Sequence, residues 1–114
     1  MPAANEPAME IDVQTLKAKL GAGDGVLLID CREQDEYDLV HLERATLVPM
    51  SQIQARLGEL EPHRDRHIVI HCHHGGRSLR VTAWLRQQGY ANVQSLAGGI
   101  DKWAADIDRS LPRY

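Results

Sequence analysis

Phenylalanine is absent from this 114-residue chain, and aromatic residues make up only 4% of it. The large core anchors are therefore expected to be Trp84, Trp103, Tyr37 and Tyr90, packed among Leu, Ile and Val. Cysteine is nearly absent too. Two cysteines do not make a disulfide framework, and their scarcity points to a reducing compartment, the cytoplasm. No apolar run approaches the roughly 18 residues that a membrane span needs. The first ten residues lack the basic start and apolar stretch of a secretory signal. With 43% hydrophobic residues and a net charge of -3, a disordered chain is excluded. No basic run is interleaved with aromatics, which argues against nucleic acid as a partner. The length leaves room for one domain of roughly 100–150 residues. Polar residues 1–10, with Pro2 and Pro7, read as a flexible arm, and residues 11–114 as the domain.

One absence is local. Arg66–Ile100 carries no carboxylate but four arginines, together with His67, His71, His73 and His74. The first 65 residues carry 13 acidic against 6 basic side chains. A positive stretch of this kind attracts small anions and stabilises a thiolate.

Apolar runs alternate with helical patterns along the chain. Asp12 is a plausible cap for a helix over Val13–Leu20, with Gly21 as its stop. Val26–Ile29, Thr46–Val48, Ile68–Ile70 and Val93–Leu96 read as strands. Helices are expected over Glu33–Leu42, over Gln52–Leu60 capped by Ser51, over Arg77–Gln88, and around Ile100–Ile107. This alternation defines an α/β fold, with a mainly parallel central sheet of four to five strands and helices on both faces. Ligands in such sheets bind beyond the carboxyl ends of the strands. Two of those ends are chemically rich, Ile29-Asp30-Cys31-Arg32 and Ile70-His71-Cys72-His73.

The most informative stretch is Cys72-His73-His74-Gly75-Gly76-Arg77-Ser78, between a strand and a helix. Two glycines let the backbone curl so that its amides form an anion nest. The helix start adds partial positive charge. A cysteine at the mouth of such a curl ionises more easily than a free thiol of pKa ~8.5. The plainer readings are a buried inert cysteine, loop histidines without a role, and a surface arginine. A metal site built on His71, Cys72, His73 and His74 is not expected. Consecutive residues do not readily wrap one ion, and strand alternation sends His71 away from Cys72.

This loop resembles the active loop of the rhodanese family, Cys-x-x-Gly-x-Arg-Ser. The resemblance continues through Leu28-Ile29-Asp30-Cys31-Arg32-Glu33, through Glu36-Tyr37 with His41 and Ala45, through Leu96-Ala97-Gly98-Gly99 with Trp103, and to Leu111-Pro112. It implies a rhodanese-like fold and sulfurtransferase activity through a persulfide on Cys72. The donor would be a small anion such as thiosulfate. The acceptor would be a thiol, cyanide or a sulfur-accepting protein. No metal or cofactor is implied. His73, His74, Gly75, Gly76, Arg77 and Ser78 would bind the sulfur and its donor, and Asp30 and Arg32 would support the loop or form a plain salt bridge.

The chain departs from the family pattern at Val40, at Glu43-Arg44, at His71, and at Cys31, where the family usually has Val. Cys31 reads most simply as a small core residue. The ends of its strand and that of Cys72 are candidates to be neighbours, which would bring the two thiols together. Two other functions compete. A persulfide carrier or sulfide-sensing module would need the same loop. A Cys-Arg phosphatase or arsenate reductase usually has five residues between Cys and Arg, where this chain has four.

Overall fold

The short apolar runs assemble into one sheet. In the computed structural model, which describes residues 7–114, the strands are β1 (Glu10–Ile11), β2 (Leu27–Asp30), β3 (Thr46–Leu47), β4 (Ile68–His71) and β5 (Val93–Leu96). All pair in parallel, in the order β1-β5-β4-β2-β3. The connections carry helices α1 (Val13–Ala22), α2 (Gln34–Leu39), α3 (Gly76–Gln87) and α4 (Gly99–Asp106). The α/β fold with helices on both faces is therefore as expected.

Side-chain alternation along the strands builds two cores. Ile29, Cys31, Ile68, Ile70 and Cys72 face one way and pack with Val81 and Leu85 of α3. Leu28 and Val69 face the other way and meet Leu16 of α1 and Ile100 of α4. Central strands buried on both faces read as continuous apolar runs, which is why alternation is missing from the sequence.

Four details differ from the sequence pattern. First, α1 starts at the Asp12 cap, whose carboxylate accepts from the Thr15 amide at 2.7 Å, but it runs past Gly21 and is capped by Gly23. Second, no α-helix covers 52–60. The segment forms turns and 3-10 helices at Leu57–Glu59 and Glu61–His63. Gly58 costs a helix about 1 kcal/mol at mid-segment, and so short a helix is marginal by itself. Ile53 and Leu60 reach the core without it. Third, of the four expected aromatic anchors only Tyr90 is fully buried; Trp84, Trp103 and Tyr37 are half-buried. The largest wholly buried side chain is Arg32. Fourth, of the arm expected over residues 1–10, residues 1–6 lie outside the described residues, while Glu10 pairs with Ser95 of β5. Among the described residues, no helix is long and apolar enough to cross a membrane.

Arg32 is tolerated inside because every face of its guanidinium is met. Nε donates to Asp30 Oδ1 at 2.9 Å, Nη2 to Asp30 Oδ2 and to the Val40 carbonyl at 2.6 Å each. Burial works against its charge, but the Asp30 carboxylate and the Tyr114 hydroxyl outweigh it and raise the pKa. Val40 supplies its carbonyl from extended backbone, φ -161°, which any residue adopts. Removing one partner of a buried pair strands the other charge. Asp30→Ala is expected to cost about 3–5 kcal/mol in urea unfolding. A loss below about 1 kcal/mol would show that Arg32 finds compensation elsewhere.

Candidate active site

Three neighbouring strand ends converge on one sulfur. Asp30 of β2 is in register with His71 of β4, so the residues that follow, Cys31 and Cys72, stand side by side at the carboxyl edge. The Cys31 amide donates to the His71 carbonyl at 2.9 Å. From β5 the chain turns through Gly98-Gly99 into α4, whose first amides hold the base of the loop. Ile100 N–H donates to the Cys72 carbonyl at 2.9 Å and Asp101 N–H to that of His73 at 3.1 Å. The approach is tight. A Cβ on Gly99 would fall 2.6 Å from the Cys72 carbonyl oxygen. No side chain larger than hydrogen fits there.

The loop then folds back over the Cys72 side chain. Gly75 reaches φ 115°, a conformation disfavoured for other residues. The curl aims the Gly75 amide at Cys72 Sγ, 3.1 Å away, and the Ser78 amide, 3.4 Å away. Ser78 Oγ is 3.4 Å from the same sulfur and 2.6 Å from Ser95 Oγ of β5. Of the amides expected to turn inward between His73 and Ser78, these two meet the resting sulfur. Gly76 begins α3 directly beneath the curl.

Cys72 is 1% exposed, so its sulfur lies buried beneath the curl and not at its mouth as expected. Its pKa is pulled down to about 4. The largest cause is a hydrogen bond from the Cys31 thiol. Burial opposes it, and the Ser78 hydroxyl with the Ser78 and Gly75 amides adds to the lowering. Cys31 moves the opposite way. Its thiol is pushed up by that same hydrogen bond, then by burial and by the Cys72 charge. The two thiols thus shift in opposite directions, Cys72 toward the charged form and Cys31 toward the neutral one.

Arg77 does not stand alone as a free cation. It makes a two-pronged ion pair with Glu36 of α2, at 2.6 and 2.8 Å. Glu36 also accepts from the Tyr114 hydroxyl at 2.9 Å, and that hydroxyl accepts from Arg32 Nη1 at 2.9 Å. A continuous chain of contacts thus runs from the Asp30–Arg32 pair through Tyr114 and Glu36 to Arg77. Asp30 and Arg32 support the site from one layer further out than the loop itself. The Tyr114 ring lies on His73, centroids 3.8 Å apart and nearly parallel, and His74 stacks on the other side of His73 at 3.8 Å. His73 is half-buried and His74 exposed. His71 is wholly buried and neutral, its pKa lowered by desolvation, so its 3.7 Å approach to Asp30 is not an ion pair.

The local charge is more balanced than the sequence suggests. Glu36 faces Arg77, and Asp101 lies 3.8 Å from His74. Arg66 and Arg86 are occupied by carbonyls of Gly25 and Val93, away from the loop. His73, His74 and Asp101 place donor atoms within 4.8 Å of one another, a cluster different from the four consecutive residues weighed above, and Asp101 already pairs with Arg113 at 3.0 and 3.1 Å. Sequence reasoning assigned no role to Glu36, Ser95, Gly99 or Tyr114. Glu36 and Gly99 lie in stretches that resemble the family, which was the available signal. Ser95 and Tyr114 left none.

A parallel α/β domain thus seats a cysteine under a curl of amides at the carboxyl edge of its sheet. Comparison with known proteins agrees. Residues 12–106 match the family model for the rhodanese-like domain. The chain is 40% identical over 95 residues to a sulfurtransferase of Allochromatium vinosum, covering 83% of this chain and 87% of that one. A rhodanese-like domain protein of Staphylococcus aureus superposes with a TM-score of 0.79 at 26% identity, over 94% of this chain and 99% of that one. A thiosulfate sulfurtransferase of Pseudomonas aeruginosa also gives 0.79 at 25% identity, over 91% of this chain but 20% of that longer one. The chain belongs to the rhodanese-like domain family.

Glu36 yields a pH prediction. Its pKa is lowered from 4.5 to about 2, chiefly by the Arg77 hydrogen bonds, against burial. A carboxylate with a depressed native pKa stabilises the fold above its unfolded pKa and loses that contribution as pH falls through the native one. The urea midpoint of the wild type should therefore drop between pH 4.5 and about 2 by more than that of Glu36→Gln. Equal drops would mean that the Arg77 contact contributes nothing to stability.

Proposed function

We propose that the protein is a sulfurtransferase that carries sulfane sulfur as a persulfide on Cys72. The observation that supports this most is the Cys72 sulfur lying under the Gly75 and Ser78 amides, which favour its thiolate. A thiolate attacks the outer sulfur of thiosulfate, the S–S bond of the donor breaks, and sulfite leaves with the bonding pair. The sulfur stays on Cys72 as an anionic persulfide. Loop amides between His73 and Ser78 stabilise the terminal sulfur as oxyanion-hole donors stabilise oxygen. A thiol or cyanide then takes that sulfur and regenerates the thiolate, a double displacement through a covalent intermediate.

Arg77, oriented by Glu36, together with His73 and His74 at the mouth, favours anionic donors. The name of the Pseudomonas aeruginosa relative supports thiosulfate in particular. The short Cys-to-Arg spacing encloses a cavity better suited to a sulfur atom than to a tetrahedral phosphate. A sulfur-accepting protein is a further acceptor of suitable chemistry. A carrier that loads once but does not turn over is separated from an enzyme by multiple turnover with excess thiosulfate and cyanide.

Thiosulfate should add one sulfur atom, about 32 Da, to the intact protein, and cyanide should remove it. Cys72→Ser should show no gain while unfolding at a similar urea concentration. No gain in the wild type with any sulfane donor would overturn the proposal. Arg77→Ala should lower kcat/KM for thiosulfate by about tenfold, the equivalent of ~1.4 kcal/mol. An unchanged value would remove Arg77 from donor binding.

A further inference from the structure

Cys31 is a nucleophile that the transfer cycle leaves idle, and its placement is not that of a spare core residue. It follows Asp30 on β2 as Cys72 follows His71 on β4, and those two residues are in register. Both thiols are free and lie on the same face of the sheet, in the same cluster as Ile29 and Ile70. Neighbouring strands run about 5 Å apart. That is within the roughly 4.4–6.8 Å between Cα atoms that a disulfide requires. The amides of Gly75 and Ser78 reach Cys72 Sγ from the loop, whereas Cys31 reaches it from the adjoining strand. A terminal sulfur cradled by the loop would thus leave the inner sulfur open to Cys31.

Building on the transfer reading above, we propose that Cys31 is a resolving thiol, which attacks the inner sulfur of the Cys72 persulfide and expels the terminal sulfur as hydrosulfide. The Cys31–Cys72 disulfide forms as the bond between the two persulfide sulfurs breaks. The terminal sulfur takes the bonding pair and the proton that Cys31 gives up. Cys31 is oxidised and the sulfane sulfur is reduced to sulfide, so no outside oxidant enters. Cys31 carries its proton in the resting state, and it attacks only as that proton passes to the departing sulfur. A thiol reductant then restores both cysteines by exchange. The activity would convert sulfane sulfur to free sulfide whenever no external acceptor arrives first.

The test loads wild type, Cys31→Val and Cys31→Ser with thiosulfate without added thiol, removes the donor, and follows intact mass and free sulfide. The wild type and Cys31→Ser, which keeps a hydroxyl donor beside Cys72, should gain about 32 Da, and Cys31→Val should do so more slowly because Cys72 loses that donor. The wild type should then settle about 2 Da below its reduced mass, with about one equivalent of sulfide and a Cys31–Cys72 cross-linked peptide. Both variants should keep the added sulfur at least about tenfold longer. Loading followed by equal persistence in all three, or sulfide release without the cross-link, would overturn the resolving role and leave sulfur transfer standing. Failure of all three to load would overturn the transfer reading and this one with it.

Discussion

The convergence of hydrogen-bonding groups on the buried Cys72 sulfur sets the terms for the rest of the structure. An anion 1% exposed survives only where donors converge on it, and here they come from three directions. The loop supplies the Gly75 amide, the first turn of α3 supplies the Ser78 amide with its hydroxyl oxygen 3.4 Å from the sulfur, and the neighbouring strand brings the Cys31 thiol. Each donor requires its own piece of fold. The amides need Gly75 at positive φ. The hydroxyl needs Ser95 of β5 behind it. The thiol needs β2 and β4 in register. Loss of any one would return Cys72 toward an ordinary buried thiol, for which desolvation favours the neutral form.

The ionic groups form a second tier whose role is position. Asp30 and Arg32 are wholly buried and cross-braced, and Arg32 passes its order through Tyr114 to Glu36 and thence to Arg77. A guanidinium is suited to this because its donors are rigidly placed and its charge is not lost. Arg77 is therefore held in a fixed position beside the loop. Nearby, α4 anchors the loop through the Cys72 and His73 carbonyls, at the cost of requiring glycine at position 99.

Much of the fold was legible because it is written in local pattern. Apolar runs such as Val26–Ile29 and Ile68–Ile70 marked central strands, and Asp12 marked a helix start. The errors have local causes. The apolar spacing of Ile53, Leu57 and Leu60 suited a helix, but Gly58 and the shortness of the segment let turns bury the same side chains. The aromatic anchors were expected by size, yet the interior uses Arg32, which composition alone would have placed outside. Of the site, the Cys72–Ser78 loop was readable because glycines and a cysteine at a strand-to-helix junction have few other uses. The Arg77–Glu36 pair was not, since 41 residues separate the two and only the sheet order brings α2 beside α3. Tyr114 on His73 and Ser95 on Ser78 are equally non-local. The position of Cys31 beside Cys72 depended on strand order, which pattern alone left open.

The claim at the centre is that Cys72 is an anion at neutral pH because these donors face it. Titration of the Cys72 β-carbon by NMR in the fully reduced protein reads its ionisation directly. The account predicts a midpoint near 4, displaced upward in Ser78→Ala and in Cys31→Val. A wild-type midpoint of about 8.5, that of a free thiol, would contradict it.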